Sequence, residues 1–203
     1  MMVKLLAIET SLGPFSVALF DDEVLLEECY HDVPHCQAEQ LMTYIADLLK
    51  RNDCGYNDLD YIAVAIGPGS FTGIRIGMSA AQGIAIVTNS KLIGVGTLEA
   101  SAYGKGTFKV ALSAGRNQYY CQSFDDKFGE INEHSAPHLI SVDELEHLGE
   151  GSIIINNTHN AYPTLSAAKI GAKALYKLKH NKLEEFAPVY VRDAGITSKS
   201  TKP

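Results

Sequence analysis

Tyr61-Ile62-Ala63-Val64-Ala65-Ile66-Gly67-Pro68-Gly69-Ser70-Phe71-Thr72-Gly73-Ile74-Arg75-Ile76-Gly77 changes character twice along its length. Tyr61 to Ile66 is a short apolar run rich in strand formers and reads as a buried strand. Gly67-Pro68-Gly69 marks an abrupt turn, and Ser70 or Thr72 can cap a helix by accepting from an unpaired amide. The segment therefore predicts strand, tight turn, helix N-terminus. Such a junction is either an anion site, because free N–H groups and the helix dipole point at it, or simply a sharp corner.

Between Thr72 and Val87 the strongly polar side chains are Arg75 and Gln82 alone. Ile74, Ile76, Met78, Ile84, Ile86 and Val87 spread around the whole helical wheel, so the helix is expected to be covered on all sides. Gly73, Gly77 and Ala81, four residues apart, allow another backbone to come close. Two covers fit this pattern: the rest of the chain's own fold, or a partner protein. The run is too short and too glycine-rich for a membrane span. Arg75 must either reach an edge or pair with something, by anchoring the corner of its own fold or by crossing to a partner.

Working outward, Val3–Ile8, Phe15–Phe20 and Glu23–Tyr30 read as three strands joined by short turns. Residues 36–51 form an amphipathic helix, with Leu41, Ile45, Leu48 and Leu49 at helical spacing and Met42 and Tyr44 widening the apolar face. Lys91–Val95 is a fifth strand, and Leu98–Tyr103 a short helix. The resulting order, β-β-β-α-β-α-β, predicts a mixed sheet with helices on its faces. It is the order of one half of an actin-like or sugar-kinase-like fold, the ribonuclease H-like unit, which by itself says nothing of function. Gly104-Lys105-Gly106 reads as a joint. Beyond it Phe108–Ser113 and Tyr119–Phe124 form a strand pair and Ser141–Leu148 a short helix whose Ser141 and Glu144 make a capping box. Ile153–Ile155 is a strand and Leu165–Lys179 a helix. The expected organisation is an α/β fold of two related subdomains, 1–103 and a reduced 104–203, with a loose polar tail from Thr197.

The 203 residues carry a formal net charge of −7, which argues against a large dedicated nucleic-acid surface. Cys29, Cys36, Cys54 and Cys121 show no paired metal spacing and suit a reducing, cytoplasmic setting. No signal peptide or membrane span is expected. His31 and His35, and His134 and His138, stand at helical metal-ligand spacing, but Pro34 and Pro137 interrupt both segments, and no metal site is expected. Glu9-Thr10-Ser11 falls at the first strand-to-strand turn, where actin-like ATPases hold phosphate, yet it carries an acid and two hydroxyls but no lysine and reads rather as an ordinary hairpin turn. The corresponding place in the second half, Leu112-Ser113-Ala114-Gly115-Arg116, has one glycine and no acid, so a nucleotide clamp with Mg²⁺ is incomplete. No catalytic residue and no resident cofactor are assigned. Glu9, Thr10, Ser11, Gly67, Gly69, Ser70 and Arg75 remain candidates for either a nucleotide loop or a structural one. A stand-alone actin-fold ATPase or kinase is the alternative reading, and a peptidase would need a nucleophile or metal site that is not evident.

Gly67-Pro68-Gly69-Ser70-Phe71-Thr72-Gly73-Ile74-Arg75-Ile76-Gly77, with Ala81-Gln82-Gly83, closely resembles the signature of the TsaB (YeaZ) family. Leu6-Ala7-Ile8-Glu9-Thr10-Ser11, Gly94-Val95-Gly96-Thr97-Leu98 and Pro188-Val189-Tyr190-Val191-Arg192 are similar to other stretches of that family, in the same order. The resemblance implies a non-catalytic partner of the catalytic subunit TsaD. Together with the ATPase TsaE, the pair makes the threonylcarbamoyl modification on the adenosine next to the anticodon of tRNAs that read codons starting with A. It implies contact with tRNA only through the complex and pairing through the two helices of the first half; alone, the chain is left as either a monomer or a homodimer formed through the same sticky helices. ATP or ADP would enter only at a shared interface. On that reading Leu41, Tyr44, Ile45, Gly73, Ile76, Gly77, Ala80 and Ala81 are the expected interface, and, if that face is exposed in the monomer, a bulky residue at Gly77 or Ala81 should break the pairing while largely sparing the fold. Two departures, Gln37-Ala38-Glu39 where relatives carry His-Ser-Glu and the altered Ser113–Tyr120 segment, speak against a nucleotide site belonging to this chain itself.

Overall fold

A computed structural model of the chain describes residues 3–12, 14–32, 37–103, 105–127, 130–148, 153–155 and 165–191. The first sheet is built from β1 (Lys4–Glu9), β2 (Phe15–Asp21), β3 (Val24–His31), β4 (Tyr61–Gly67) and β5 (Lys91–Gly96), in the spatial order β3-β2-β1-β4-β5. Two antiparallel pairings join β3, β2 and β1, and two parallel ones join β1, β4 and β5, as the hairpins and crossovers in the sequence require. Helices α1 (Gln37–Arg51) and α2 (Phe71–Thr88) are the two crossovers, and α3 (Thr97–Ala100) is a single turn after β5.

Successive strand residues point to opposite faces, so each strand serves two cores. Leu6, Ile8, Val17, Leu19, Ile62 and Val64 meet Leu41, Ile45 and Leu48 of α1 and Ile74, Met78, Ala81 and Ile84 of α2. Leu5, Ala7, Ala18, Phe20, Ala63 and Ala65 meet Ala167, Ile170 and Ala174 of α5 (Ala167–Lys179) on the other face. The alanines there bring α5 close. A Cβ on Gly171 would collide with the Phe20 ring. Burial on both faces explains why β1, β2 and β4 are near-continuous apolar runs.

The second sheet contains β6 (Gly106–Gly115), β7 (Gln118–Lys127), β8 (Glu130–Glu133), β9 (His138–Ser141) and β10 (Ile153–Ile155), in the order β10-β6-β7-β8, with β9 also pairing with β7. Its core is Leu98, Phe108, Val110, Leu112 and Phe124. The capping box at Ser141 and Glu144 is present, but the helix it opens, α4 (Val142–Leu145), is one turn long rather than reaching Leu148. β8 and β9 were not expected from the sequence.

The helix expected as part of the reduced second half, Leu165–Lys179, starts at Ala167 and packs on the first sheet instead. Its first amides are met from β2 and β3: Ala167 N donates to Ser16 Oγ (2.7 Å) and Ala168 N to Glu28 Oε1 (2.9 Å). These contacts satisfy orphan donors that every helix start carries.

Candidate functional site

The glycine turn is a corner, and its chemistry is directed inward. Ser70 caps α2 by accepting from Gly73 N (3.2 Å), while its own amide donates to the Ser11 carbonyl (2.7 Å). Thr10 Oγ1 donates to the Gly73 carbonyl (2.7 Å). The glycines exist for this closeness. A Cβ on Gly69 would lie 2.6 Å from the Ser11 carbonyl oxygen. One on Gly73 would collide with the Thr10 carbonyl, and one on Gly77 with the Thr10 hydroxyl. Gly67, at φ 104°, takes the left-handed conformation that only glycine adopts freely, and a Cβ there would lie 2.8 Å from the Val189 carbonyl oxygen.

Glu9, at the end of β1, is 3% exposed. Its Oε1 accepts from Ser11 N (2.6 Å) and Ser11 Oγ (2.5 Å), and Ser11 Oγ lies 3.3 Å from Thr97 Oγ1. Burial raises the Glu9 carboxyl to about 7, against the two Ser11 hydrogen bonds and with a further push from Glu28. Glu9, Thr10 and Ser11 are thus packed beneath the start of α2, with two of the amides that an anion would use already engaged. The counterpart loop is tighter still. β6 and β7 join through Arg116 and Asn117, both at positive φ (55° and 58°), the two-residue turn that suits strand twist. Among the described residues no cluster of three His, Cys, Asp or Glu side chains could hold a metal ion.

Arg75 stays within the chain. Its guanidinium lies 3.9 Å from the Phe71 ring centre, its Nε donates to Tyr190 Oη (3.2 Å), and the Phe71 and Tyr190 rings are 5.2 Å apart. One residue back, Val189 N donates to the Ile66 carbonyl (2.8 Å), so the chain after Phe186 is strapped across the end of β4. Arg192 lies outside the described residues.

The structure divides the residues expected at the interface. Leu41, Ile45, Gly73, Gly77 and Ala81 are buried against the chain's own sheet, because the small-residue stripe is the side on which α2 meets β1 and β4. Tyr44, Ile76 and Ala80 are half-buried at the margin, and Tyr44 Oη is 2.9 Å from His31 Nδ1. What α2 turns outward is Arg75, Ser79, Gln82, Gly83, Ile86 and Val87. Ile86 is 79% exposed and Val87 75%, and Met42 of α1 is exposed as well. The sequence held a signal for this: Arg75 and Gln82, two turns apart, mark the outer stripe on which Ile86 also falls.

Residues 33–187 match the family described as TsaD: tRNA N6-adenosine threonylcarbamoyltransferase. The chain is 35% identical over 105 residues to the tRNA threonylcarbamoyladenosine biosynthesis protein TsaB of Escherichia coli (strain K12), covering 50% of this chain and 44% of that protein. It is 31% identical over 135 residues to TsaB of Bacillus subtilis (strain 168), covering 64% and 59%. The matches thus span about half the length of these curated relatives. The solved structure of YeaZ from Pseudomonas aeruginosa superposes with a TM-score of 0.76 over 93% of this chain and all of that one, at 22% identity, which establishes a shared fold. No helix among the described residues is long and apolar enough to cross a membrane. With residues 33–187, most of its length, matched, the chain belongs to the family described as TsaD: tRNA N6-adenosine threonylcarbamoyltransferase, and it is similar to the TsaB proteins and shares the YeaZ fold.

Proposed function

We propose that the chain is a non-catalytic subunit in tRNA threonylcarbamoyladenosine biosynthesis, pairing with a TsaD-type catalytic subunit through the outer face of α1 and α2. The observation that carries this reading is the exposed apolar end of α2, where Ile86 and Val87 stand in water beside Gly83, whose Cβ position has no atom of the described residues within 4 Å. An isolated fold gains nothing from such a patch, whereas an interface core does. The closed Glu9–Ser11 loop and the two-residue β6–β7 turn support the absence of a nucleotide site belonging to this chain. On this reading TsaE and tRNA meet the chain through the complex, and a second copy can occupy the same face when the catalytic partner is absent.

The test is to mix the chain with a TsaD-type subunit and measure particle mass by light scattering. A heterodimer is expected from the wild type, and none from Ile86→Glu, which should melt as the wild type does, or from Gly83→Arg, which should melt slightly higher because arginine is the better helix former. A heterodimer that survives both substitutions would overturn the assigned face, and ATP turnover by the isolated chain would favour the stand-alone ATPase reading.

A further inference from the structure

A groove of about 380 Å³ opens where α3 and α5 face β8, continuous through shared walls with a second hollow of about 410 Å³. Glu99, Tyr103, Ile131, Lys169, Lys173 and Tyr176 line the first. None of the residues of the Glu9–Ser11 loop or the β6–β7 turn takes part in either hollow.

The electrostatics of the groove are incomplete. Glu99 is buried and carries two lysines: Lys177 Nζ donates to Oε2 at 3.0 Å, and Lys173 Nζ stands 3.5 Å from Oε1. Gly96 N also approaches Oε2, at 3.4 Å. Lys177 is nearly inaccessible and has Glu184 as a further partner at 3.5 Å. Among the described residues Lys173 has only that one long ion pair and a position 5.0 Å from the Tyr176 ring centre, and its ammonium makes no hydrogen bond there. Its side chain is 16% exposed, so bulk water serves it poorly. The Tyr176 hydroxyl, in the same wall, is buried and has no hydrogen-bond partner among the described residues. Buried donors of this kind are rare in native proteins and call for an acceptor.

The remaining walls suit a flat apolar body. Ala100, Ala102 and Ala172 leave room, Ile131 closes one side, and the Tyr103 ring stands at the mouth with Lys169 Nζ 5.7 Å from its centre. We propose that this groove binds a small organic anion, a carboxylate or phosphate carried on a planar apolar group. The anion's oxygens take the unmet donors of Lys173 and Tyr176, and the planar group lies against Tyr103. The volume is in the range of small-ligand sites, and apolar walls with few convergent polar groups are their usual make-up. Because α3 and α5 belong to the first sheet's layers and Ile131 to β8 of the second, an occupant would tie the two sheets together.

Titration of the full chain with phenyl phosphate and with benzoate, followed by calorimetry and by amide chemical shifts, tests this and separates the two anion types. Phenol and inorganic phosphate serve as half-molecule controls. At least one of the two anions is expected to saturate, with shifts centred on α5 and β8 and with each control weaker by about tenfold or more. Lys173→Met should weaken binding about tenfold while Lys177 still pairs with Glu99. Tyr103→Ala, at a residue 60% exposed, should weaken it several-fold without touching the fold. Saturation by neither anion up to about 10 mM, a limit equivalent to less than about 3 kcal/mol of binding, would overturn the proposal. Equal affinity in the wild type and both variants would overturn it too. If Lys173→Met does not fold, Tyr103→Ala alone decides.

Discussion

Gly77 and Gly83 sit on one helix less than two turns apart, and the same substitution at each should move stability in opposite directions. At Gly83, exposed and with no atom within 4 Å of a Cβ, alanine brings only its helix propensity, worth about 1 kcal/mol over glycine. At Gly77 that gain is overwhelmed. A Cβ there collides with the Thr10 hydroxyl and comes within 3.3 Å of Val64 Cγ2. Overpacking of this kind costs about 1–3 kcal/mol. Pushing Thr10 Oγ1 off the Gly73 carbonyl also leaves a buried hydroxyl unpaired, at about 1–3 kcal/mol more. The net expectation is a loss of about 3 kcal/mol for Gly77→Ala against a gain of about 1 kcal/mol for Gly83→Ala. Urea denaturation followed by far-ultraviolet circular dichroism reads both. At this chain length the melting temperatures should differ by roughly 8–16 °C between the two variants. A Gly77→Ala protein as stable as the wild type would refute the argument that the glycine stripe faces home.

Glu9→Gln should remove a pH dependence. A carboxyl whose folded pKa stands at about 7 rather than 4.5 binds protons more tightly folded than unfolded, so its contribution is fully present below about pH 4.5 and is lost as pH rises through 7. The wild type should therefore lose about 3 kcal/mol across that window from this group, and urea titrations at pH 5 and pH 8 should find most of that slope gone in the variant. Arg75→Ala should open the strap after Phe186 to limited proteolysis while global stability falls by about 1 kcal/mol or less, since an exposed cation on an aromatic ring is worth little more. Unchanged cleavage rates would show that Val189 alone holds the segment. Glu28→Ala should cost about 0.5–1 kcal/mol by uncovering the Ala168 amide at the start of α5, measured by thermal melts, and should move the Glu9 transition slightly to lower pH by removing a neighbouring negative charge.

The element order was legible because apolar runs and glycine punctuation carry it: β1 to β5, α1 and α2 fall where the pattern places them, and Ser70 and Ser141 cap as their positions suggest. What periodicity cannot supply is a destination. The apolar stripe of α5 states that one face is buried but not that it is buried on β1 and β2, more than a hundred residues earlier. β8, Glu130–Glu133, and β9, His138–Ser141, are short and carry no clean alternation, so nothing local marks them as strands. The candidate site was harder. A helix apolar nearly all round gives only a faint phase, carried by Arg75 and Gln82, and the small-residue stripe was therefore open to either the home sheet or a partner. The deciding contact, Thr10 to Gly73, joins residues 63 apart, and the unmet donors of the α5 groove depend on Glu99 serving two lysines.

The three glycines of α2 separate its two sides. Each interior glycine costs a helix about 1 kcal/mol relative to alanine, so each needs a reason. For Gly73 and Gly77 the reason lies inside the chain: the helix rides directly on Thr10, and any side chain would lift it off β1. Gly83 has no such reason. None of the described residues lies over it, it is exposed, and its neighbours on that side are Ile86 and Val87, the two most exposed large apolar residues of the described chain. Within the monomer its cost is not offset. A partner backbone seated on the outer face would offset it in the way Thr10 does on the inner one, by coming closer than a Cβ permits. Gly83→Ala therefore tests both sides of the helix at once. It should stabilise the isolated chain and weaken the heterodimer, a pairing of effects that a glycine without an external contact would not produce.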